Sequence, residues 1–273
     1  MHSIVVATDF SEVANNAVRF ACEMAADFQK TVTVFHSYII PVSFGDNPMP
    51  VMPIEDSKAI ATESMDKLVD SLKTLYSGTS IESHITFGDI TDSLEDYCER
   101  NTPWLIIVGN SAEDHNTLWF GSNVISTLKN LPYRTMAVPA SAQYKTPRKI
   151  CLAADYKHVY NKFPSGDLTE IVSKAGAELH VLNVDHNNKQ FGTEVPQDAA
   201  ALEAQLQSAN PQYHYVESDN TDEAITKFIA ENNIDWLVIV PHKYGFWEGL
   251  FHKSHTTALA RTGHVPLLAL HEH

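Results

Sequence analysis

The chain repeats itself, because three segments of its first half return in the same order in its second half. The matched pairs are residues 3–9 with 149–155, 88–92 with 218–222, and 104–109 with 236–241. A repeat of roughly 130 residues is the size of one domain. The 273-residue sequence therefore predicts two similar domains, residues 1–140 and 147–273, joined by a short polar linker.

Each copy opens with a short apolar run of the kind that forms strands buried on both faces. In the first copy, apolar residues at helical spacing follow this run, and Ser11 is placed to cap the start of that helix. Strands are predicted at residues 4–8, 31–36, 81–87, 104–108 and 135–138, and helices at 11–26, 56–76, 91–101 and after Gly121. The second copy repeats strands at 150–154 and 178–184 and a helix at about 197–208. Alternating strands and helices of this length require a parallel sheet with helices on both faces. The predicted fold class is therefore α/β, with two tandem five-stranded, Rossmann-like domains.

The last predicted strand of each copy, at residues 135–138 and 266–270, is a natural edge of its sheet. An edge strand presents unpaired backbone groups, which favour pairing with another edge. We therefore predict that the two copies pack across these strands as an internal pseudo-dimer with approximate twofold symmetry.

Charge and cysteine content exclude several classes of protein. The formal net charge is −15, whereas a nucleic-acid-binding protein needs a basic face to neutralise phosphates. Cys22, Cys98 and Cys151 are odd in number and are never spaced as C-x-x-C, which suits reduced, buried thiols. The N-terminus lacks the features of a signal peptide, and no apolar run approaches ~18 residues. We therefore expect a cytoplasmic protein that binds neither nucleic acid nor membrane.

Several polar or small residues lie where predicted strands end. Asp9, His36 with Ser37, and Gly109 each follow a different strand of the first copy. Parallel α/β sheets bind ligands outside the carboxyl ends of their strands, so this edge is the predicted site. A strand ending in Gly109, followed by a loop and by Gly121-Ser122 at a helix start, is a workable cradle for phosphate. The same glycine is also compatible with simple turn chemistry.

On these residues the chain resembles a tandem universal stress protein over essentially its whole length. The resemblance rests on the opening strand with its aspartate, the Thr-Asp pairs at 91–92 and 221–222, the strand that runs into Gly109, and residues 120–123 (FGSN). It implies α/β domains that dimerise, here within one chain. It also implies ATP binding through a glycine, two residues, a second glycine, nine residues, and then Gly-Ser or Gly-Thr. The ligand-binding residues that it implies are Asp9, Gly109, Gly121, Ser122 and Asn123.

The first copy departs from this ATP-binding pattern. Ala112 replaces the second glycine, and eight residues rather than nine separate it from the Gly-Ser pair. Glu113 and Asp114 place two carboxylates where a polyphosphate would lie, and like charges repel. These departures weigh against nucleotide binding. The alternative is an ATP- or AMP-binding switch in the first copy, under the proline-rich loop at residues 41–53, which otherwise is a surface excursion without function.

The second copy departs further. Pro241 removes a backbone N–H, and His252 and Lys253 replace the Gly-Ser pair, so nucleotide binding is expected to be lost there. Lys243, His252, Lys253 and His255 form a basic, histidine-rich rim, which could bind a different anion, a metal or an acidic partner, or be simply solvated. A zinc site needs three or four convergent ligands, which the spacing does not provide. We therefore predict no metal site.

The sequence contains none of the common catalytic motifs, such as the P-loop, the nucleophile elbow or the H-E-x-x-H zinc motif. We therefore predict a stress-response or regulatory protein that acts by interaction rather than catalysis and that needs no cofactor. Its partner is an unidentified protein, and the association of two chains into a larger homo-oligomer is left open.

Overall fold

The computed structural model describes residues 3–39, 53–110, 131–154, 163–185, 195–241 and 265–271. The first half contains β1 Ile4–Ala7, α1 Glu12–Phe28, β2 Val32–Tyr38, α2 Ile54–Leu75, β3 Ile81–Phe87, α3 Ile90–Asn101, β4 Leu105–Asn110 and β5 Thr135–Pro139. The second half contains β6 Lys149–Ala153, α4 Ser165–Ala175, β7 Glu178–Asp185, α5 Val195–Leu206, a 3₁₀ turn Gln207–Ala209, β8 Gln212–Glu217, α6 Thr221–Asn232, β9 Trp236–Ile239 and β10 Leu267–Ala269. The α/β prediction is confirmed, and the bounds of the described strands and helices agree with the predicted ones to within a few residues. The helix predicted after Gly121 lies outside the described residues. The domain boundaries at residues 140 and 147 stay a prediction, and the loop at 41–52 lies outside the described residues.

All ten strands form one sheet whose order is β3-β2-β1-β4-β5-β10-β9-β6-β7-β8. Every neighbouring pair is parallel except β5 and β10, which pair antiparallel at the centre of the sheet. In their register Leu267 lies opposite Ala137, Leu268 opposite Met136, and Ala269 opposite Thr135. Read outward from this junction, the strand order of the two halves is the same. The predicted internal pseudo-dimer is therefore confirmed.

Local sequence signals explain where the helices begin. The Ser11 side chain accepts a hydrogen bond from the backbone N–H of Ala14, which caps α1 as predicted. Asp89 caps α3 in the same way, accepting from the N–H groups of Thr91 and Asp92. None of the described helices combines the length and the apolar character that crossing a bilayer requires.

The helices cover both faces of the sheet and bury two hydrophobic layers. Helices α1, α2, α4 and α5 contribute to one layer, whereas α3 and α6 contribute to the other. Each layer contains residues of both halves, because the strands at the junction are shared by the cores on either side. The halves are thus joined through their hydrophobic cores as well as through backbone hydrogen bonds.

An aromatic contact joins the duplicated tryptophans near the junction. The ring of Phe28, at the end of α1, lies 5.1 Å from the ring of Trp104 and 6.2 Å from that of Trp236. Trp104 and Trp236 occupy matching positions in the sequence repeat. Phe28 of the first half therefore packs against the equivalent tryptophan of both copies. This arrangement breaks the twofold symmetry of the halves.

A partly buried ion-pair cluster also connects the halves. Arg134 donates hydrogen bonds of 2.7 Å to both Asp167 and Glu170 of α4, and the indole N–H of Trp104 donates to Glu170 at 3.3 Å. Burial raises the pKa of Glu170, but hydrogen bonds from Lys174 and Arg134 outweigh it and lower the pKa to about 2. Glu170 is therefore ionised at neutral pH and holds α4 against the first half.

The junction gives a direct prediction about stability. Leu268 lies fully buried at the centre of β10, so Leu268→Ala leaves a cavity between the halves. We expect a loss of about 2–4 kcal/mol in the free energy of unfolding, measured by urea denaturation.

The matched control is Leu75→Ala, because Leu75 is 70% exposed at the end of α2. This control should change the free energy of unfolding by less than about 0.5 kcal/mol. Equal effects of the two substitutions would contradict the packing of β10 at the junction.

Candidate functional site

A cavity of about 470 Å³ lies at the carboxyl ends of β1 and β2, beneath α2. Its lining includes Asp9, Phe10, His36, Ser57, Ala61 and Ser64. Most of the lining surface is apolar, as in many sites for small molecules, and several lining side chains also carry a polar group. The cavity lies at the edge of the sheet that the sequence predicts for ligand binding.

The β1–α1 turn places Asp9 at the wall of this cavity. Oδ1 of Asp9 accepts a hydrogen bond of 2.9 Å from the N–H of Ser11, which fixes the side chain over the turn. Among the described residues, none donates to Oδ2 of Asp9. The turn thus holds a carboxylate at the cavity wall with one oxygen left to accept a hydrogen bond from a ligand.

Phe10 adopts an unusual backbone conformation in this turn. Its φ is +64°, in the left-handed region that β-carbon contacts make unfavourable for most residues. A hydrogen bond of 3.0 Å from the Phe10 N–H to the hydroxyl of Thr8 supports the turn. The consequence is that the Phe10 ring lies 4.5 Å from the ring of His36, and both rings line the cavity.

The protonation of His36 follows from its hydrogen bond. Nδ1 of His36 lies 2.7 Å from the carbonyl oxygen of Thr8, and a carbonyl only accepts, so Nδ1 carries the proton. Burial lowers the pKa of His36, and the bond to Thr8 and the charge of Asp9 oppose this only in part. At neutral pH the ring is therefore uncharged, and its Nε2 is an acceptor.

The matching position of the second half carries an amide. Asn183 of β7 donates a hydrogen bond of 3.0 Å from Nδ2 to the carbonyl oxygen of Ala154, as His36 does to that of Thr8. The amide preserves the link between neighbouring strand ends but offers neither an aromatic face nor a second ring nitrogen. The two halves therefore differ in what they present at this edge.

Gly109 also has a packing role, and its predicted role in ligand binding stays a prediction. A β-carbon at this position would lie 3.0 Å from the carbonyl oxygen of Val13 and 3.1 Å from its side chain. The glycine thus allows α1 to pack closely on β4. Gly109 is not among the residues that line the cavity.

The structure accounts for only some of the predicted site residues. Asp9 lines the cavity and Gly109 lies in the sheet beside α1. Gly121, Ser122 and Asn123 lie outside the described residues, as do the acidic loop at 112–114 and the basic rim at 243–255. Their roles stay predictions. Among the described residues, no three histidine, cysteine, aspartate or glutamate side chains converge as a metal site.

The sequence prediction missed the wall that α2 contributes. Ser57, Ala61 and Ser64 line the cavity at i, i+4 and i+7 spacing, which places them on one face of the helix. Small side chains on that face leave the space that larger ones would fill. The spacing of these small residues in the sequence could have predicted this wall, because small residues on an otherwise packed helix face indicate space for a ligand or a close neighbour.

The fold and the cavity define a class of protein: two similar parallel α/β units in one chain, with a cavity at the carboxyl ends of β1 and β2. The model of the universal stress protein family matches residues 1–139 and 167–271. The chain belongs to the universal stress protein family, and this membership indicates a role in the stress response. No curated protein matches it.

Solved structures share the whole tandem architecture. A universal stress protein from Archaeoglobus fulgidus DSM 4304 is 15% identical, with 98% of each chain covered and a TM-score of 0.70. A functionally unknown protein from Pseudomonas aeruginosa PAO1 is 14% identical, with 100% of this chain and 93% of that chain covered and a TM-score of 0.63. A shorter universal stress protein from Archaeoglobus fulgidus, solved in complex with dAMP, is 21% identical and covers 50% of this chain and 97% of its own, with a TM-score of 0.38. At these identities the long matches show a common fold.

The environment of Gly109 predicts that this residue is needed for folding whether or not a ligand binds. Gly109→Ala places a methyl group against the Val13 carbonyl, and we expect a loss of roughly 1–3 kcal/mol in the free energy of unfolding. Gly78→Ala is the control, since no atom lies within 4 Å of a β-carbon there. Unfolding in urea without ligand should separate the two variants, and equal stabilities would contradict the packing role.

Proposed function

We propose that this universal stress protein is a non-catalytic regulator whose first half binds an adenine nucleotide, AMP or ATP, and whose surface contacts a protein partner. The cavity lined by Asp9, Phe10 and His36 is the observation on which this proposal rests. It combines a volume of about 470 Å³, an apolar wall, two aromatic rings and a carboxylate. In a nucleotide, the base needs the aromatic rings and the apolar wall, and the ribose needs the carboxylate.

The carboxylate suits a sugar. Because Oδ1 of Asp9 is occupied by the Ser11 N–H, the ligand would meet Oδ2. An ionised carboxylate accepts hydrogen bonds strongly, and the hydroxyl groups of a ribose are donors of the right kind. A nucleotide would therefore place its ribose beside the β1–α1 turn.

The aromatic and apolar wall suits a flat base. The rings of Phe10 and His36 and the apolar side chain of Ile60 line the same cavity. Aromatic faces favour offset or edge contacts with another ring system. In addition, the acceptor at Nε2 of His36 can pair with an N–H donor such as an exocyclic amino group.

The differences between the halves support a site in the first half alone. The second half carries Asn183 in place of His36, which removes an aromatic wall. Its sequence also carries His252 and Lys253 where the first half carries a Gly-Ser pair. If only the first half binds a nucleotide, the corresponding surface of the second half is available to contact a protein partner. Anion or metal binding at the rim of the second half, residues 243–255, stays a separate prediction.

The buried cysteines support action without catalysis. Burial raises the pKa values of Cys22, Cys98 and Cys151 to about 12, and Glu23 adds to the effect at Cys22. All three thiols are therefore protonated at neutral pH and enclosed in the core, where they cannot act as nucleophiles.

The test is calorimetric titration of nucleotide-free protein with AMP and with ATP, with and without Mg²⁺. We expect binding that Asp9→Asn weakens roughly ten-fold or more, since the amide keeps the Oδ1 bond to Ser11 but removes the charged acceptor. His36→Asn copies the second half and should weaken binding roughly three- to ten-fold by removing the ring.

Asp89→Asn is the matched control. Asp89 also follows a strand and also uses Oδ1 to accept backbone N–H groups, but it does not line the cavity. This variant should bind as the unmodified protein does. Absence of heat up to millimolar nucleotide would overturn nucleotide binding and leave a regulator that works through its surfaces alone.

A further inference from the structure

Two histidines of the second half contact each other on the face of the sheet that α6 covers. Nδ1 of His180 on β7 lies 3.0 Å from Nε2 of His214 on β8. Their rings stack at an interplanar angle of 17° with centroids 5.1 Å apart. The ring of Phe228 from α6 lies 4.8 Å from that of His214 and 6.4 Å from that of His180. The pair therefore lies between the sheet edge and the helix.

His180 is buried and incompletely bonded. Its side chain is 4% exposed, and its Nε2 has no hydrogen-bond partner. The carboxylate of Glu178 lies 3.7 Å from this nitrogen, too far for a good hydrogen bond but close enough for electrostatic attraction. An N–H directed toward a carboxylate is favoured over a lone pair. This assigns the proton of neutral His180 to Nε2 and makes Nδ1 the acceptor from His214.

Two charged side chains flank the pair, one from β6 and one from β7. From β6, Lys149 adds a positive charge while its Nζ donates to the carbonyl oxygen of Asn232 at 3.2 Å. From β7, Glu178 adds the opposing negative charge. From α6, Phe228 contributes an aromatic ring, whereas the Lys227–Glu231 pair of that helix is exposed.

This geometry permits one additional proton but not two. His214 can take a proton on Nδ1 and still donate from Nε2 to His180. A second proton, on Nδ1 of His180, would set two N–H groups against each other at 3.0 Å and break the bond. In the unfolded chain the same two side chains each take up a proton below about pH 6.5.

We propose that the His180–His214 pair is a pH-sensitive latch that holds α6 on the edge of the second half at neutral pH and releases it on acidification. The direction follows from proton counts: below about pH 6.5 the released state binds more protons than the latched state, so acid favours release. Consistently, burial and then the charges of His214 and Lys149 lower the pKa of His180, and burial lowers that of His214.

The position of the latch lets it open without unfolding the rest of the sheet. Strand β8 is the outermost strand and pairs only with β7. Strands at such an edge open at lower free energy than those in the centre. Release of α6 would expose the apolar face formed by Ile225, Phe228 and Ile229, which is buried at neutral pH.

The first half lacks the latch at the matching place. Its counterpart of His180 is Thr33, which lies opposite Glu82 as His180 lies opposite Gln212. His84, the counterpart of His214, stacks on Phe35 and contacts Tyr97, both of which are uncharged. Protonation of His84 therefore meets no second imidazole, although burial and the charge of Arg100 on α3 lower its pKa. The first half thus contains a single buried histidine where the second half contains a bonded pair.

The test is hydrogen exchange of the full chain at pH 5–8, corrected for the intrinsic pH dependence of exchange. Protection of residues 221–232 in α6 should fall relative to residues 12–28 in α1, which contain no histidine, by up to about ten-fold per pH unit below about pH 6. Glu170 has a pKa of about 2, so it takes up a proton only well below pH 5 and does not contribute to the change in protection.

Two variants separate the latch from general acid sensitivity. His180→Thr copies Thr33 and should remove the relative loss of α6 protection, even though it lowers stability at every pH. His84→Asn in the first half should leave that loss unchanged. A pH dependence that persists in His180→Thr would overturn the proposal. So would histidine NMR titration of the unmodified protein that shows both His180 and His214 fully protonated with α6 still protected.

Discussion

The antiparallel pairing of β5 with β10 is the interaction on which the rest of this structure depends. Each half alone would end in an edge strand with unpaired backbone groups, and the pairing satisfies those groups at the centre of a ten-stranded sheet. Because both strands are buried, their side chains belong to cores that run through both halves. The contact of Phe28 with Trp104 and Trp236 and the ion pairs of Arg134 with α4 form around this junction.

The two halves of the duplicated chain share one fold but carry chemically different side chains at matching positions. At the carboxyl ends of the strands, the first half carries His36 where the second carries Asn183. On the opposite helix layer, the second half carries His180 where the first carries Thr33. The frame tolerates both changes because each new side chain bonds to a neighbouring strand. A tandem chain can therefore combine a cavity at the strand ends of one half with a histidine pair beneath a helix of the other.

Much of the fold could be predicted from the sequence, but the site only in part. The apolar runs predicted the strands, and the spacing after Ser11 predicted a capped helix, because both are local patterns. Asp9 was predicted from its place at a strand end and does line the cavity. Phe10 was not predicted, since its left-handed backbone conformation depends on the turn that Thr8 and Asp9 hold. Gly109 was predicted for ligand binding, and only the packing of Val13 against it revealed its contact with α1.

The sequence by itself determined the repeat, the order of strands and helices and the parallel α/β class, because these follow from patterns along short stretches of chain. Tertiary structure alone decided which distant side chains meet. His180 and His214 are 34 residues apart, and Arg134 and Glu170 are 36 residues apart. Such pairs depend on strand register and on the seating of helices, which are set by the packing of the whole core. For that reason the cavity, the ion-pair cluster and the histidine latch become visible only in the folded chain.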